Sequence, residues 1–210
     1  PEIKQRQARE PVLLRTLKSY GLSEAEVDQL VSPLFTSANP RLGIYAKPDG
    51  IHVRIIAEEE GGQSADRIVT EAESQVRTAL GDHIWGSDDD TLEEVVGRLL
   101  IGAGLSIATM ESCTGGLLGS TLTDVVGSSV YYRGGLISYS NEAKISLGVE
   151  AGLLDEFGAV SRDVAVAMAE VARSRLKGDI GIGITGVAGP ESLEGKPPGL
   201  VYIGIAGLAG

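Results

Sequence analysis

Apolar and polar positions follow two different periods along the first part of the chain. Residues 41–46 and 51–57 alternate between apolar and polar side chains, which predicts two half-buried strands. Between them stands K-P-D-G at 47–50, where proline presets φ and glycine accepts a positive φ, so the pattern predicts a β-hairpin. The remaining predicted elements are helices at 13–22, 23–31 and 64–80 and a short strand at 84–85. Together these elements predict a small α+β domain over residues 1–90.

Beyond residue 90, apolar strands alternate with amphipathic helices, which is typical of a layered α/β domain. The predicted helices cover 91–103, 117–126, a short stretch around Lys144, and 161–176, with Asn141 as the cap of the short helix. The predicted strands cover 105–110, 130–133, 136–139, 179–185 and 200–206. The acidic segment G-S-D-D-D at 86–90 is the predicted linker, so the second domain is placed at 91–210. We expect this domain to continue past Gly210, because nothing follows to cover the strand at 200–206.

Composition and charge remove several classes of function. The chain has 210 residues and a formal net charge of −11, which argues against non-specific binding to nucleic-acid phosphates or to an anionic membrane surface. The single cysteine, Cys113, excludes an internal disulfide and a multi-cysteine zinc site, and it fits a reducing, cytoplasmic setting. No metal-ligand cluster is visible, and we expect neither a metal nor a cofactor.

The sequence E-S-C-T-G-G at 111–116 lies on a predicted sharp turn between a strand and a helix. A nucleophile on such a turn is exposed at the carboxyl edge of the sheet, where free backbone N–H groups can hold a phosphate or an oxyanion. Ser112 and Cys113 both qualify, and the sequence leaves the choice between them open. The competing interpretation makes Ser112 or Thr114 a simple helix N-cap and Cys113 a small buried apolar residue.

A serine nucleophile needs a base, and both histidines, His52 and His83, lie in the first predicted domain. The candidate base is Lys144 in Y-S-N-E-A-K at 139–144, because desolvation or a nearby cation can lower the pKa of a lysine. Tyr139 of the same motif can relay or orient a proton. The ordinary interpretation of Lys144 is a solvated helix residue paired with a nearby acid.

Two glycine-containing loops are candidates for substrate binding. G-S-S at 127–129 offers hydroxyl and backbone donors before a strand that carries Arg133, a possible partner for phosphate or carboxylate. T-G-V-A-G-P at 185–190 follows a strand directly, so it lies at the same sheet edge as Ser112 if the two strands are parallel. The competing interpretations are a surface ion pair for Arg133 and an ordinary turn at 185–190.

Six motifs occur in a fixed order, and together they resemble one known family. They are E-S-C-T-G-G at 111–116, G-S-S at 127–129, Y-S-N-E-A-K at 139–144, G-A-V-S at 158–161, G-V-A-G-P at 186–190 and K-P-P-G at 196–199. Over residues 93–206 the chain resembles the CinA carboxy-terminal domain, and residues 1–90 resemble more loosely the KH-like middle domain of CinA proteins. The resemblance implies a small KH-like α+β domain followed by a layered α/β/α domain with a mixed sheet.

The resemblance also implies an activity in pyridine-nucleotide salvage, the deamidation of nicotinamide mononucleotide to nicotinate mononucleotide and ammonia. The catalytic serine, lysine and tyrosine of the family map onto Ser112, Lys144 and Tyr139. The residues expected to hold the oxyanion or the nucleotide are Thr114, Gly115, Gly116, Ser128, Ser129, Arg133, Thr185, Gly186 and Gly189. We expect a homodimer, with residues 1–90 as its dimerisation and domain-linking module.

The alternative function is a binding or regulatory module linked to competence and DNA damage, with a vestigial site. KH-like folds can bind single-stranded nucleic acid, which motivates this alternative. The acidic charge of residues 1–90 and their lack of a G-x-x-G loop argue against it. A nucleic-acid partner is therefore not expected.

Overall fold

The computed structural model describes residues 12–36 and 38–207. The chain divides into two compact units between Val95 and Val96, and this boundary falls within the helix Leu92–Ala103, most of which belongs to the second unit. The expected continuation past Gly210 lies outside the described residues.

The first unit is an antiparallel sheet with two helices. Its elements are β1 (Leu13–Ser19), α1 (Glu24–Val31), β2 (Arg41–Lys47), β3 (Gly50–Ala57), α2 (Ala65–Leu80) and β4 (Ile84–Ser87), with short 3₁₀ turns at Ser32–Leu34 and Gly81–His83. The strand order is β2-β3-β1-β4. The two helices bury Val27, Val31 and Val76 against Val53 and Ile55 of β3, so both helices share one core with the sheet.

Two sequence predictions for this unit are confirmed and one is wrong. The hairpin at 47–50 closes with Lys47 paired to Gly50, and the side chains of Ser23 and Glu26 form the capping box of α1. The helix predicted at 13–22 is instead strand β1, which pairs antiparallel with β3 over its whole length. Leucines in this segment fit a helical spacing, but a central strand gains ladder bonds on both edges, and these non-local bonds outweigh local propensity.

The predicted linker at 86–90 is also wrong, because this segment is bound to β1. The Asp88 carboxylate accepts hydrogen bonds from the Arg15 guanidinium at 2.6 Å and from the Thr16 amide at 2.8 Å. The Asp90 carboxylate accepts one from the Ser87 amide at 2.8 Å. A short acidic segment can therefore be held by hydrogen bonds to a neighbouring strand and need not be a solvent-exposed linker.

The second unit has one four-stranded mixed sheet with the order β6-β5-β7-β8. Its elements are α3 (Leu92–Ala103), β5 (Ile107–Glu111), α4 (Leu117–Thr123), β6 (Tyr132–Ile137), α5 (Asn141–Leu147), α6 (Ala151–Phe157), α7 (Arg162–Leu176), β7 (Ile180–Gly186) and β8 (Val201–Ala206). The central strand β5 is parallel to β6 and β7, whereas β8 runs antiparallel to β7. The mixed sheet expected from the family resemblance is confirmed.

Helices cover both faces of this sheet, which gives the expected α/β/α layering. Ala108 and Met110 of β5 point to the α7 side and join its core, whereas Ile107 packs with Leu100 of α3 and Leu122 of α4. The alternation along β5 follows from the period of two in a strand, whose successive side chains face opposite layers.

Three local predictions in this unit need correction. The strands predicted at 130–133 and 136–139 form one strand, β6, and helix α6 was not predicted. Gly134 and Gly135 lie between the two predicted strands, and Gly135 faces the Tyr132 hydroxyl and the Thr109 hydroxyl so closely that a Cβ has no room. Glycine therefore serves close packing here and does not end the strand. The cap of α5 is Ser140, one residue before the predicted Asn141.

The alternation of glycine and isoleucine along β7 brings helix α7 directly onto the sheet. A Cβ on Gly181 would collide with the Ala169 carbonyl, and one on Gly183 would collide with the Ala165 carbonyl. The backbone of α7 therefore lies against the backbone of β7, and this contact fixes the position of the segment that precedes α7.

We predict that Gly183→Ala lowers the free energy of unfolding by about 3 kcal/mol, because the new Cβ must displace backbone. The matched control is Gly152→Ala on α6, where nothing lies within 4 Å of the added Cβ. This control should leave stability unchanged or raise it by about 0.5–1 kcal/mol through helix propensity. Denaturant unfolding measures both, and equal stability of Gly183→Ala and wild type would contradict the close packing of α7.

Candidate active site

The turn after β5 presents Ser112 at the carboxyl edge of the parallel strands. Ser112 is 7% exposed, and its amide donates to the Ile184 carbonyl of β7 at 2.9 Å. The turn then passes through Gly115 at φ +61° and Gly116 at φ +103°, a region that side chains rarely adopt. The turn is thus tied to the neighbouring strand at the residue that carries the hydroxyl.

Glu111, the last residue of β5, holds the other side of this turn. Its carboxylate is 1% exposed and accepts from the Gly119 amide at 2.8 Å, the Leu118 amide at 3.0 Å and the Thr114 hydroxyl at 2.7 Å. The N-cap of α4 is Gly116, which has no side chain, so Glu111 caps this helix from the preceding strand. Sequence reasoning missed this role, although an acid at the end of a buried strand was a signal for it.

Lys144 reaches Ser112 from the first turns of α5. Its side chain is 2% exposed, and its Nζ lies 3.0 Å from the Ser112 Oγ and donates to the Ser138 carbonyl at 3.0 Å. Ser138 is fixed in turn, because its amide donates to the Glu111 carbonyl at 2.8 Å. The alternative of a solvated lysine paired with an acid is therefore wrong.

Burial has opposite consequences for the two titratable groups beside Ser112. It lowers the pKa of Lys144 from its ordinary value of 10.5, and the nearby Cys113 and Glu194 only partly oppose this effect. Burial raises the pKa of the Cys113 thiol, against the amides of Cys113 and Thr114 and the Lys144 charge. Burial thus shifts the lysine toward its neutral form and the thiol toward its protonated form, and both shifts favour Ser112 over Cys113 as the nucleophile.

An open cleft of about 520 Å³ contains this pair. It is lined by Ser112, Cys113, Tyr139, Asn141, Lys144 and residues 159–160 and 185–193. The loop at 185–190 lies here because β7 runs parallel to β5, which meets the condition stated from the sequence. Thr185 donates from its hydroxyl to the Ala159 carbonyl at 2.7 Å, and Gly186 leaves room for the Cys113 sulfur, which an added Cβ would meet at 3.1 Å.

Other predicted substrate contacts are not at this cleft. Ser128 and Ser129 precede β6, and Arg133 is its second residue, so all three lie at the amino edge of the sheet. The expectation that they hold the nucleotide within one chain is corrected, because a loop before a parallel strand lies at the edge opposite to a loop after it. Arg133 instead interacts electrostatically with Asp179, at the start of β7.

The residues that follow Cys113 also form hydrogen bonds within the turn and do not contact the cleft. The Thr114 hydroxyl donates to Glu111, and the Gly115 amide donates to the Ser112 carbonyl at 3.1 Å. Neither Thr114 nor Gly115 nor Gly116 lines the cleft. The amides of Cys113 and Thr114 interact with the Cys113 thiol, and Cys113 lines the cleft.

Tyr139 lines the cleft, but its position does not suit a proton relay. Its side chain is 73% exposed, and within the described residues its hydroxyl has no hydrogen-bond partner. The ring is available for contact with a flat substrate group at the rim of the cleft.

The described ranges contain no group of three or more His, Cys, Asp or Glu residues that could hold a metal ion. Among the same residues, no helix is both long enough and apolar enough to cross a bilayer.

We predict that Glu111→Gln lowers the free energy of unfolding by about 2–3 kcal/mol, because its amide nitrogen cannot accept hydrogen bonds from the buried donors of α4. Glu170→Gln on α7 is the control, since Glu170 forms an exposed pair with Arg173 and should cost less than about 0.5 kcal/mol. Chemical denaturation of both variants tests this, and a Glu111→Gln protein as stable as the control would rule out the capping role.

Both units match known families. Residues 89–210 match the family model described as the CinA C-terminal domain, and residues 14–86 match the one described as the damage-inducible protein CinA KH domain. A protein of Moorella thermoacetica, named as competence-damage inducible, is 47% identical over 199 residues, which are 94% of this chain and 48% of that protein. A CinA-like protein of Acaryochloris marina is 44% identical over 93% of this chain and 47% of its own length. The chain thus spans about half the length of the curated relatives it matches.

Solved structures are similar over part of the chain. A competence/damage inducible protein from Agrobacterium tumefaciens has a TM-score of 0.52 at 40% identity, over 54% of this chain and 70% of its own. A CinA superfamily protein from Enterobacter cloacae has a TM-score of 0.52 at 34% identity, over 59% of this chain and 83% of its own.

Proposed function

This chain belongs to the CinA family, and from that membership and the buried serine–lysine pair we propose that it is a nicotinamide-nucleotide amidohydrolase. The substrate is nicotinamide mononucleotide, and the products are nicotinate mononucleotide and ammonia. The observation that carries the proposal is the 3.0 Å contact between the Lys144 Nζ and the Ser112 Oγ inside the cleft. A serine with a neutral amine beside it is suited to acyl transfer from an amide.

In the first step, the Ser112 Oγ attacks the carboxamide carbon while the neutral Lys144 amine takes the hydroxyl proton. The amine is ready for this step because burial lowers its pKa and because its hydrogen-bond partners among the described residues are neutral oxygens. The hydrogen bond to the Ser138 carbonyl holds the amine in place before the reaction, which lowers the entropic cost of reaching the transition state.

The negative charge that develops on the carboxamide oxygen needs preorganised donors. The amides of Cys113 and Thr114 are the candidates, since those of Ser112 and Gly115 already donate to backbone carbonyls. An oxyanion hole of two turn amides is a common arrangement for acyl transfer, and loss of one such donor typically costs about 10²–10³-fold in rate.

Collapse of the tetrahedral intermediate breaks the C–N bond, and the Lys144 ammonium returns its proton to the departing ammonia. Water then attacks the nicotinoyl ester on Ser112, with Lys144 taking the water proton. The C–Oγ bond breaks, Ser112 regains a proton from Lys144, and nicotinate mononucleotide leaves. A single base can serve both halves because each half moves one proton onto the amine and one proton off it.

The cleft can accommodate a nucleotide, because its volume lies within the range of ordinary ligand pockets. We assign the pyridine ring to the rim near Tyr139, and the sugar to the loop that begins at Thr185 and Gly186. The homodimer and the linking role of the first unit stay predictions, as does the absence of a nucleic-acid partner.

Substitution of the serine–lysine pair tests the proposal. Ser112→Ala and Lys144→Met should each lower ammonia release from nicotinamide mononucleotide by at least about 10³-fold, since nucleophile and base act as a unit. Lys144→Met keeps an apolar stem in the buried position, so its fold should survive. Cys113→Ala should keep activity within about threefold, because the thiol is not the attacking group.

Activity lost in Cys113→Ala but kept in Ser112→Ala would retain an amidohydrolase and overturn this mechanism. An inactive wild type would instead favour the alternative of a binding or regulatory module.

The pH dependence of kcat/KM follows from the burial of Lys144. The base must be neutral, so kcat/KM should rise with pH and level off above the pKa of Lys144, which burial lowers from 10.5. We therefore predict that kcat/KM reaches half of its plateau value below pH 10.5, with stability monitored over the same range. A kcat/KM still rising in proportion to hydroxide concentration at pH 10.5 would contradict a desolvated lysine base.

A further inference from the structure

The loop between β7 and β8 forms one wall of the cleft and is closed at both ends. At its base, the Val187 amide donates to the Leu200 carbonyl at 2.9 Å, and the Gly199 amide donates to the Val187 carbonyl at 2.8 Å. At its tip, Leu193 and Lys196 exchange two backbone hydrogen bonds of 3.1 and 2.9 Å. The loop therefore ends in a tight turn with two central residues, 194–195.

This turn has an unexpected residue at its first central position. Glu194 has φ +54° and Gly195 has φ +71°, the left-handed pair of a type I′ turn, for which Asn-Gly is the favoured sequence. A glutamate in this conformation costs free energy that asparagine or glycine would largely avoid. Such a strained conformation persists only when other interactions stabilise it, so we expect the Glu194 side chain to make one.

The Glu194 carboxylate supplies that interaction by bridging to the segment before α7. One oxygen accepts from the Ala159 amide at 2.8 Å, and the other accepts from the Val160 amide at 3.2 Å. Lys196 flanks the bridge, with its Nζ 3.2 Å from the same carboxylate and 3.3 Å from the Phe157 carbonyl. Gly158 leaves the space that the Glu194 carboxylate occupies, because a Cβ on residue 158 would collide with that carboxylate.

The two segments that this bridge joins both contribute to the wall of the cleft. Ala159 and Val160 lie on one part of its wall, and residues 189–193 of the loop lie on another. We propose that Glu194 is a positioning residue, whose carboxylate ties the loop to Ala159 and Val160 and so holds the wall against which substrate binds. This role rests on the proposed amidohydrolase function, whereas the tie itself does not.

The charge of Glu194 also acts on the base. Burial opposes ionisation of Glu194, but the amides of Ala159 and Val160 and the ammonium of Lys196 together lower its pKa, so it is ionised at neutral pH. The resulting negative charge raises the pKa of Lys144, against the larger effect of burial. The groups that act on the Lys144 amine are the Ser112 hydroxyl and the Ser138 carbonyl by direct contact, and Cys113 and Glu194 by charge. Tyr139 lines the same cleft.

The test is Glu194→Asn, which improves the turn and removes the tie. Asn-Gly is the favoured type I′ pair, so the thermal midpoint should not fall, but the shorter side chain cannot reach both amides. Hydrogen exchange of the Ala159 and Val160 amides should become about tenfold faster, since each loses its acceptor. For nicotinamide mononucleotide, KM should rise about tenfold with kcat changed less than about threefold. The acid limb of the pH profile should move to lower pH, because the charge that raises the pKa of Lys144 is gone.

The matched control is Glu156→Asn at the exposed end of α6, which removes the same charge near the same segment. It should leave amide exchange and KM at wild-type values. Glu194→Gln, which keeps the length and loses the charge, should give a smaller change in the same direction.

Unchanged amide exchange in both Glu194 variants would overturn the tie, whatever the activity. Faster exchange with an unchanged KM and pH profile would leave Glu194 a structural residue only and overturn its positioning role. Faster exchange in a protein whose wild type releases no ammonia would instead refute the proposed function and leave the tie standing.

Discussion

The buried amine of Lys144 is the constraint on which the rest of the site depends. A buried ammonium without a carboxylate partner is costly, so burial shifts the group toward its neutral form. That shift is useful only if the amine is held against a group that can give it a proton. The Lys144 amine contacts the Ser112 hydroxyl and the Ser138 carbonyl, and these residues directly follow the neighbouring strands β5 and β6. The pairing of these two strands therefore sets the geometry of the serine–lysine pair.

Each layer of the second unit contributes to that geometry through backbone contacts. Glu111 caps α4 and thereby fixes the turn that carries Ser112. The glycines of β7 bring α7 onto the sheet, and the segment that leads into α7 forms part of the cleft. Glu194 then ties the loop after β7 to that same segment. The carboxylates of Glu111 and Glu194 thus both bind backbone amides, and neither forms a direct ion pair with Lys144.

The sequence points to Ser112 and Lys144, which the structure brings together, better than it predicts the residues around them. A strand–turn–helix motif pointed to the turn that carries Ser112, and the lack of a histidine in the second predicted domain pointed to Lys144 as the base. Parallel strand pairing placed the loop at 185–190 at the same sheet edge. All three signals are local or topological. Arg133 was misplaced because its role was judged by residue type, although its place before a parallel strand puts it at the far edge. Strand β1 was missed because its stability comes from two distant neighbours. Glu194 was missed because it binds the amides of Ala159 and Val160, which lie 35 and 34 residues away in the chain.

The most direct test of this account is the ionisation of the Lys144 amine, followed by NMR in protein with isotope-labelled lysine. The Lys144→Met variant assigns the signal, and the measurement needs no substrate. The account predicts that the pKa of Lys144 lies below the ordinary lysine value of 10.5. A Lys144 that titrates at or above 10.5 would contradict the neutral buried base, and with it the mechanism proposed for Ser112.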